Sequence, residues 1–194
     1  MGYLNMPDSS LIQQYIGGDE KSLEVLILRH QSKIYGFIYS KLGDRDTTED
    51  VFQETFIKVI HTLKTKKYNE EGKFLPWVTR IAHNLVIDHF RKIKKMPMQR
   101  EHGEFSIFSL ITDSNPNMEH QMISVQKELD LKNLIDELPD DQKEVLIMRI
   151  YQDLSFKEIA VITDVSINTA LGRMRYALMN IRKMIEQRKL VLHD

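Results

Sequence analysis

Residues 155–178 read SFKEIAVITDVSINTALGRMRYAL, two helical periods separated by three residues. Ser155 with Glu158 three positions later is the pattern of a capping box, in which each side chain satisfies a backbone N–H that a helix start leaves free. A helix therefore begins there and buries Phe156, Ile159, Ala160 and Ile162. Asp164, Val165 and Ser166 form the turn, and Ser166 caps a second helix in which Ile167, Leu171, Met174, Leu178, Ile181 and Ile185 recur at steps of three and four. Short helix, tight turn and longer helix make a helix-turn-helix. With that stripe facing inward, a rotation of about 100° per residue turns Asn168, Thr169, Gly172, Arg173, Arg175 and Tyr176 outward. These residues offer donors and acceptors for base edges and phosphates, and Gly172 lets the backbone approach closely. Arg173, Arg175, Arg182, Lys183, Arg188 and Lys189 face the single Glu186 across this stretch. The same pattern also suits two packed helices with a solvated charged face.

Upstream of this pair, helical signals continue to the N-terminus with one interruption. Asp8 caps a short helix that ends at Gly17 and Gly18; Asp19 caps a second, carrying Leu23, Leu26, Ile27, Ile34, Phe37 and Ile38 as far as Gly43. Asp46 opens a third with Val51, Phe52, Phe56, Val59, Ile60 and Leu63 as its apolar stripe. A fourth runs from about Leu75 to Lys95, with Pro76 in the first turn, where its missing N–H is harmless, and Pro97 stopping it. From Met96 to Lys127 the period fades into Pro97, Gly103 and the cluster Asp113, Ser114, Asn115, Pro116 and Asn117, the composition of a linker. A helix then runs through about Leu138 and another from Pro139 to Gln152. The expected fold is all-α: two small helical domains, 1–95 and 128–194, joined by a flexible linker, 96–127, with the helix-turn-helix in the second.

Composition narrows the class further. The 194 residues are 42% hydrophobic and 28% charged, enough apolar side chain for a packed core. Apolar runs such as Val25, Leu26, Ile27, Leu28 stop at a charge, far short of the ~18 residues of a membrane span, so no membrane insertion is expected. With no signal-peptide layout at the N-terminus, the expected location is the cytoplasm. The absence of cysteine excludes disulfides, thiolate metal sites and a cysteine nucleophile. A net charge of -1 places any case for nucleic acid on local segregation of charge.

Such segregation is present. The only tryptophan, Trp77, lies near Tyr68, Phe74 and Phe90, and His89 to Arg100 holds Arg91, Lys92, Lys94, Lys95 and Arg100 without an acid. Rings beside a cationic groove suit unpaired nucleic acid, because bases stack while Lys and Arg track phosphates; a core role for Trp77 and dipole-matched lysines are the alternative. The preceding helix is acidic, with Asp44, Asp46, Glu49, Asp50 and Glu54 relieved by Arg45, which suits its dipole or a basic partner.

These motifs, in this order, resemble bacterial sigma factors of the extracytoplasmic-function group over almost the whole chain. Glu49-Asp50-Val51-Phe52-Gln53-Glu54-Thr55-Phe56 is similar to the family's E-D-x-x-Q-E-x-F helix. Phe74 to Asn84, with Asp88 and Arg91, is similar to F-x-x-W-x-x-R-I-A-x-N-x-x-x-D-x-x-R. The resemblance implies that Glu49, Asp50, Gln53 and Glu54 bind core RNA polymerase. It implies that Tyr68, Asn69, Phe74, Trp77, Arg80, Asn84, Asp88, Arg91 and Lys92 engage and melt the minus-ten promoter element. Ser166, Asn168, Thr169, Gly172, Arg173, Arg175 and Tyr176 would read the minus-thirty-five element. Core polymerase, promoter DNA and an anti-sigma factor are the implied partners, with no catalytic residue and no cofactor. The sequence departs from the family's pattern at Asp164, where relatives often carry glycine, at Leu171, where they carry a basic residue, and at Gly172, where they carry serine. A stand-alone helix-turn-helix regulator of duplex DNA is the main alternative, and it leaves the acidic helix and the Trp77 segment unexplained. A helical metalloenzyme is the other; no Glu stands three residues before a His and His-Glu-x-x-His is absent.

Overall fold

The computed structural model describes residues 3–69, 72–95 and 130–188, and every regular element among them is helical. The chain divides into two compact units, Met1–Phe105 and Ser106–Asp194. The expected linker, 96–127, lies outside the described residues.

In the first unit a 3-10 turn, Tyr3–Asn5, precedes α1 (Asp8–Ile16), α2 (Glu20–Leu42), α3 (Arg45–Lys64) and α4 (Phe74–Lys95). The long α2 packs against α1, α3 and α4, and α3 packs on α4. As its sequence predicts, α2 starts where the Asp19 carboxylate accepts from the Lys21 N–H at 3.2 Å and ends at Gly43 in the left-handed region, φ 69°, where glycine carries no Cβ penalty. Two expected caps are corrected. Asp44, not Asp46, caps α3: it follows the left-handed glycine with extended backbone and accepts from the Thr47 N–H at 2.8 Å. Asp8 does not cap α1 either, because Pro7 holds that position and the Asp8 carboxylate turns instead to Arg29 and His30 of α2. Leu11, Leu26, Ile34, Phe37, Val59, Leu63 and Phe74 fill the core of this unit, all but sealed from solvent. Each contributes about 1.5–3 kcal/mol by leaving water.

The second unit comprises α5 (130–136), α6 (Asp140–Ile150), α7 (Phe156–Ile162) and α8 (Ile167–Arg188). Its capping box is formed: Ser155 Oγ accepts from the Glu158 N–H at 3.3 Å and the Ser155 N–H donates to Glu158 Oε2 at 2.8 Å. Ser155→Ala should destabilise this unit by about 1 kcal/mol, read as a lower unfolding midpoint in urea. The turn places Asp164 at φ 54°, left-handed backbone that Asp tolerates better than most residues. Ser166 then caps α8, its Oγ accepting from the Thr169 N–H at 3.0 Å.

The inward face of α8 is a correction. Ile167, Leu171 and Leu178 are 45%, 44% and 40% exposed, while Ala170 and Ala177 are fully buried. Met174, Ile181 and Ile185 do pack on the core formed by Leu134, Ile135, Leu138 and Leu146. The buried line runs through Ala170, Met174, Ala177, Ile181 and Met184, keeping the expected period but shifted toward the alanines. α8 packs on both α6 and α7, and small side chains at those contacts permit a close approach that leucines would block. No helix among the described residues is long and apolar enough to cross a membrane.

Candidate nucleic-acid interface

Trp77 stands in the first turn of α4, half-buried, with Arg80, Asn84, Asp88 and Arg91 exposed at successive steps of three or four residues. Steps of that size stack side chains along one side of a helix. The five therefore form a single solvent-facing row with an aromatic ring at its head, and Lys92 is exposed beside it. Arg91 lies 3.3 Å from Asp88; with both mostly in water, this pair adds little to stability and leaves the guanidinium available for a phosphate.

The ring at the head of the row is held from behind. Trp77 packs on Tyr68 at 4.4 Å between centroids and on Phe74 at 5.9 Å, and Tyr68 meets Phe74 edge-on at 6.4 Å. Asn69 is exposed in the loop beside Tyr68. Phe74, expected among the DNA-contacting residues, is only 2% exposed, so its side chain supports the tryptophan and does not itself meet DNA.

Behind Phe74 lies a polar tie that the sequence did not reveal. The His30 ring sits 5.5 Å from the Phe74 ring and its Nε2 lies 2.7 Å from Asp8 Oδ2, while Arg29 donates to Asp8 Oδ1 at 2.6 Å. Burial alone would raise the Asp8 carboxyl, but the hydrogen bond and charge of His30, and then those of Arg29, hold it below its ordinary value of 3.8. A carboxylate depressed in the folded state stabilises the fold above its unfolded pKa and loses that contribution as pH falls through the folded one. The difference in melting temperature between wild type and Asp8→Asn should therefore be present above pH 3.8 and close progressively below it.

On α3, Glu49, Asp50, Gln53 and Glu54 are all exposed and share one face. Gln53 donates to Glu49 at 3.3 Å, and Lys58 pairs with Glu54 at 3.3 Å. Ile57, 65% exposed, stands on the same face one turn beyond Gln53 and Glu54. Sequence reasoning did not single it out; the signal was an isoleucine falling outside the buried stripe. It is the one large apolar side chain exposed on this face among the described residues, and interface centres are apolar with polar rims.

On α8, Asn168, Thr169, Arg175 and Tyr176 are exposed as expected, and Gly172 has open space where a Cβ would stand. Arg173 is different: its Nε lies 3.2 Å from Asp141 Oδ2 of α6 with the side chain 25% exposed, so it braces α8 and is drawn away from the free face. Arg188 likewise bonds Glu137 at 2.6 Å. Among the described residues no group of three or more His, Asp or Glu could hold a metal ion.

A family model of Sigma-70 region 2 matches residues 26–96, and one of Sigma-70, region 4 matches residues 128–184. The RNA polymerase sigma factor SigV of Bacillus subtilis is 31% identical over 161 residues, covering 82% of this chain and 89% of the relative. The RNA polymerase sigma-H factor of Pseudomonas aeruginosa is 27% identical over 183 residues, 92% of this chain and 94% of the relative. Among solved structures, that of the sigma factor RpoE in complex with the anti-sigma factor NepR from Bartonella quintana shares the fold, with a TM-score of 0.66 at 18% identity over 86% of this chain and 98% of that one.

Proposed function

The chain belongs to the sigma-70 family, in its extracytoplasmic-function (ECF) group, and on that premise we propose that it is a sigma factor that directs core RNA polymerase to particular promoters and opens the DNA there. The observation that carries this reading is the order of its parts: a region 2 match over the helices bearing the acidic face and the aromatic-headed row, followed by a region 4 match over the helix-turn-helix. The working limits are 1–95 for the first domain and 128–194 for the second, with 96–127 between them.

The exposed face of Glu49, Asp50, Gln53 and Glu54, with Ile57 as its apolar centre, anchors the protein on core polymerase. Trp77, with Tyr68 and Asn69, takes the unpaired strand of the minus-ten element, while Arg80, Asn84, Asp88, Arg91 and Lys92 follow the strand along α4. Phe74 supports the ring. Extruding a base from the stack costs a few kcal/mol; stacking on an aromatic side chain returns about 1–3 kcal/mol per base, and phosphate contacts add to it. In the second domain Asn168, Thr169, Gly172, Arg175 and Tyr176 face the minus-thirty-five duplex, with Ser166 fixing the helix start and Arg173 bracing it. All of this is binding; no bond is made or broken, and no cofactor is needed. A net charge of -1 makes the free protein a weak DNA binder, so polymerase supplies positioning and further affinity. The protein acts in the cytoplasm, and an anti-sigma factor is its expected inhibitor, as NepR is found with RpoE.

The test is whether the purified chain co-elutes with bacterial core RNA polymerase and allows initiation from particular promoters in a genomic DNA library. Promoter-selective transcripts are expected. Failure to associate, together with tight duplex binding by the chain alone, would replace this reading with that of a stand-alone regulator.

A further inference from the structure

Resting on the reading of α8 as the helix that enters duplex DNA, we propose that Leu171 determines specificity by recognising the 5-methyl group of a thymine that lies between the bases met by Asn168 and Arg175. Asn168, Leu171 and Arg175 stand at positions i, i+3 and i+7, which is one line along a helix. That line is free of the core: α8 buries Ala170 and Ala177, leaving Leu171 44% exposed.

The neighbouring side chains narrow what this face can read. Ser166 Oγ and Thr169 Oγ1 lie 2.9 Å apart and are engaged in the helix cap. Arg173 is turned to Asp141. Asn168 and Arg175 remain as the polar readers of the line, suited to adenine and guanine edges respectively. Leu171, between them, has neither donor nor acceptor. Of the four base edges in the major groove only thymine presents a methyl group, so thymine is the one base whose edge an aliphatic side chain distinguishes. Leucine is short, and it reaches a base only if the backbone comes close to the groove floor. Gly172 meets that requirement: it carries no side chain and borders open space, so nothing beside Leu171 holds the helix off.

Leu171 also borders a shallow groove with Phe156, Met174, Leu178 and Met179, edged by Arg175 and Arg182, and a protein partner seated there is the outcome that would displace this proposal. The experiment uses the holoenzyme on a promoter recovered as above, with each upstream-element thymine replaced in turn by deoxyuridine, which removes the methyl and keeps every hydrogen-bonding group. At one position deoxyuridine should weaken wild-type binding about fourfold, the value of one buried methyl. Leu171→Ala should weaken binding to the thymine duplex and become indifferent to deoxyuridine at that position, while Asn168→Ala remains sensitive. An upstream element without thymine, neutral replacement at every position, or a Leu171→Ala variant that keeps the wild-type sensitivity would each overturn the proposal while leaving α8 as the reading helix. Loss of all discrimination between the upstream element and scrambled duplex in the wild-type holoenzyme would remove both.

Discussion

Replacing Trp77 with alanine should leave association with core RNA polymerase unchanged and reduce the population of open promoter complexes by roughly five- to 150-fold, the range set by about 1–3 kcal/mol per stacked base. The reasoning is geometric. Trp77 is half-buried at the head of the α4 row and braced by Tyr68 and Phe74, whereas the acidic face proposed to meet polymerase lies on α3 and includes none of these rings. Permanganate reactivity of unpaired thymines reads the opening, and gel filtration with core enzyme reads the association. Because removing the indole also removes packing on Tyr68, helical content and the melting temperature belong in the same experiment. A Trp77→Phe variant, which keeps a ring, should recover much of the opening. A loss of opening matched by a loss of folding in the alanine variant, or full opening without the indole, would return Trp77 to a purely structural role.

The second large effect is expected on α3. Gln53→Ala and Glu54→Ala together should weaken the complex with core polymerase by about tenfold or more, since truncating central interface residues costs of order 1–2 kcal/mol. The fold should be indifferent, because both side chains are exposed and such substitutions stay within about 0.5 kcal/mol. The Lys58 pair lost with Glu54 is also in water and contributes little. Ile57→Asp should weaken the same complex through a different chemistry, by placing a charge at the apolar centre of the face. Unchanged affinity in both variants, measured by titration at physiological salt, would place the anchor elsewhere on the molecule.

The parts of the fold that were legible in the sequence are those settled locally. Ser155 with Glu158, Asp19, Gly43 and Pro76 act within a few residues of themselves, and each does in the structure what its spacing predicts. The misreadings share the opposite property. Asp8 is a good cap by local rules, yet an arginine and a histidine on the next helix offer its carboxylate two charged or polar partners at once. In α8 the leucines outweigh the alanines in any hydrophobic count, yet the packing against α6 and α7 selects for small size, so Ala170 and Ala177 go inside and Leu171 and Leu178 stay out. For the site, the row from Trp77 to Arg91 was visible as a spacing. Which aromatic stacks and which braces depended on the packing of Tyr68 on Trp77 and of the distant His30 on Phe74, and on α8 the withdrawal of Arg173 from the free face depended on Asp141, thirty-two residues upstream.

The row on α4 also sets a length scale. Trp77 and Arg91 are fourteen positions apart on one helix, and at about 1.5 Å of rise per residue the distance along the axis is about 21 Å. A nucleic-acid strand at about 3.4 Å per nucleotide covers that distance in about six steps. On the proposal that the row follows a strand, the helix is a ruler as well as a surface: it spans at most about six stacked steps, and an extra nucleotide within that span would throw either the stacked base or the last phosphate out of register.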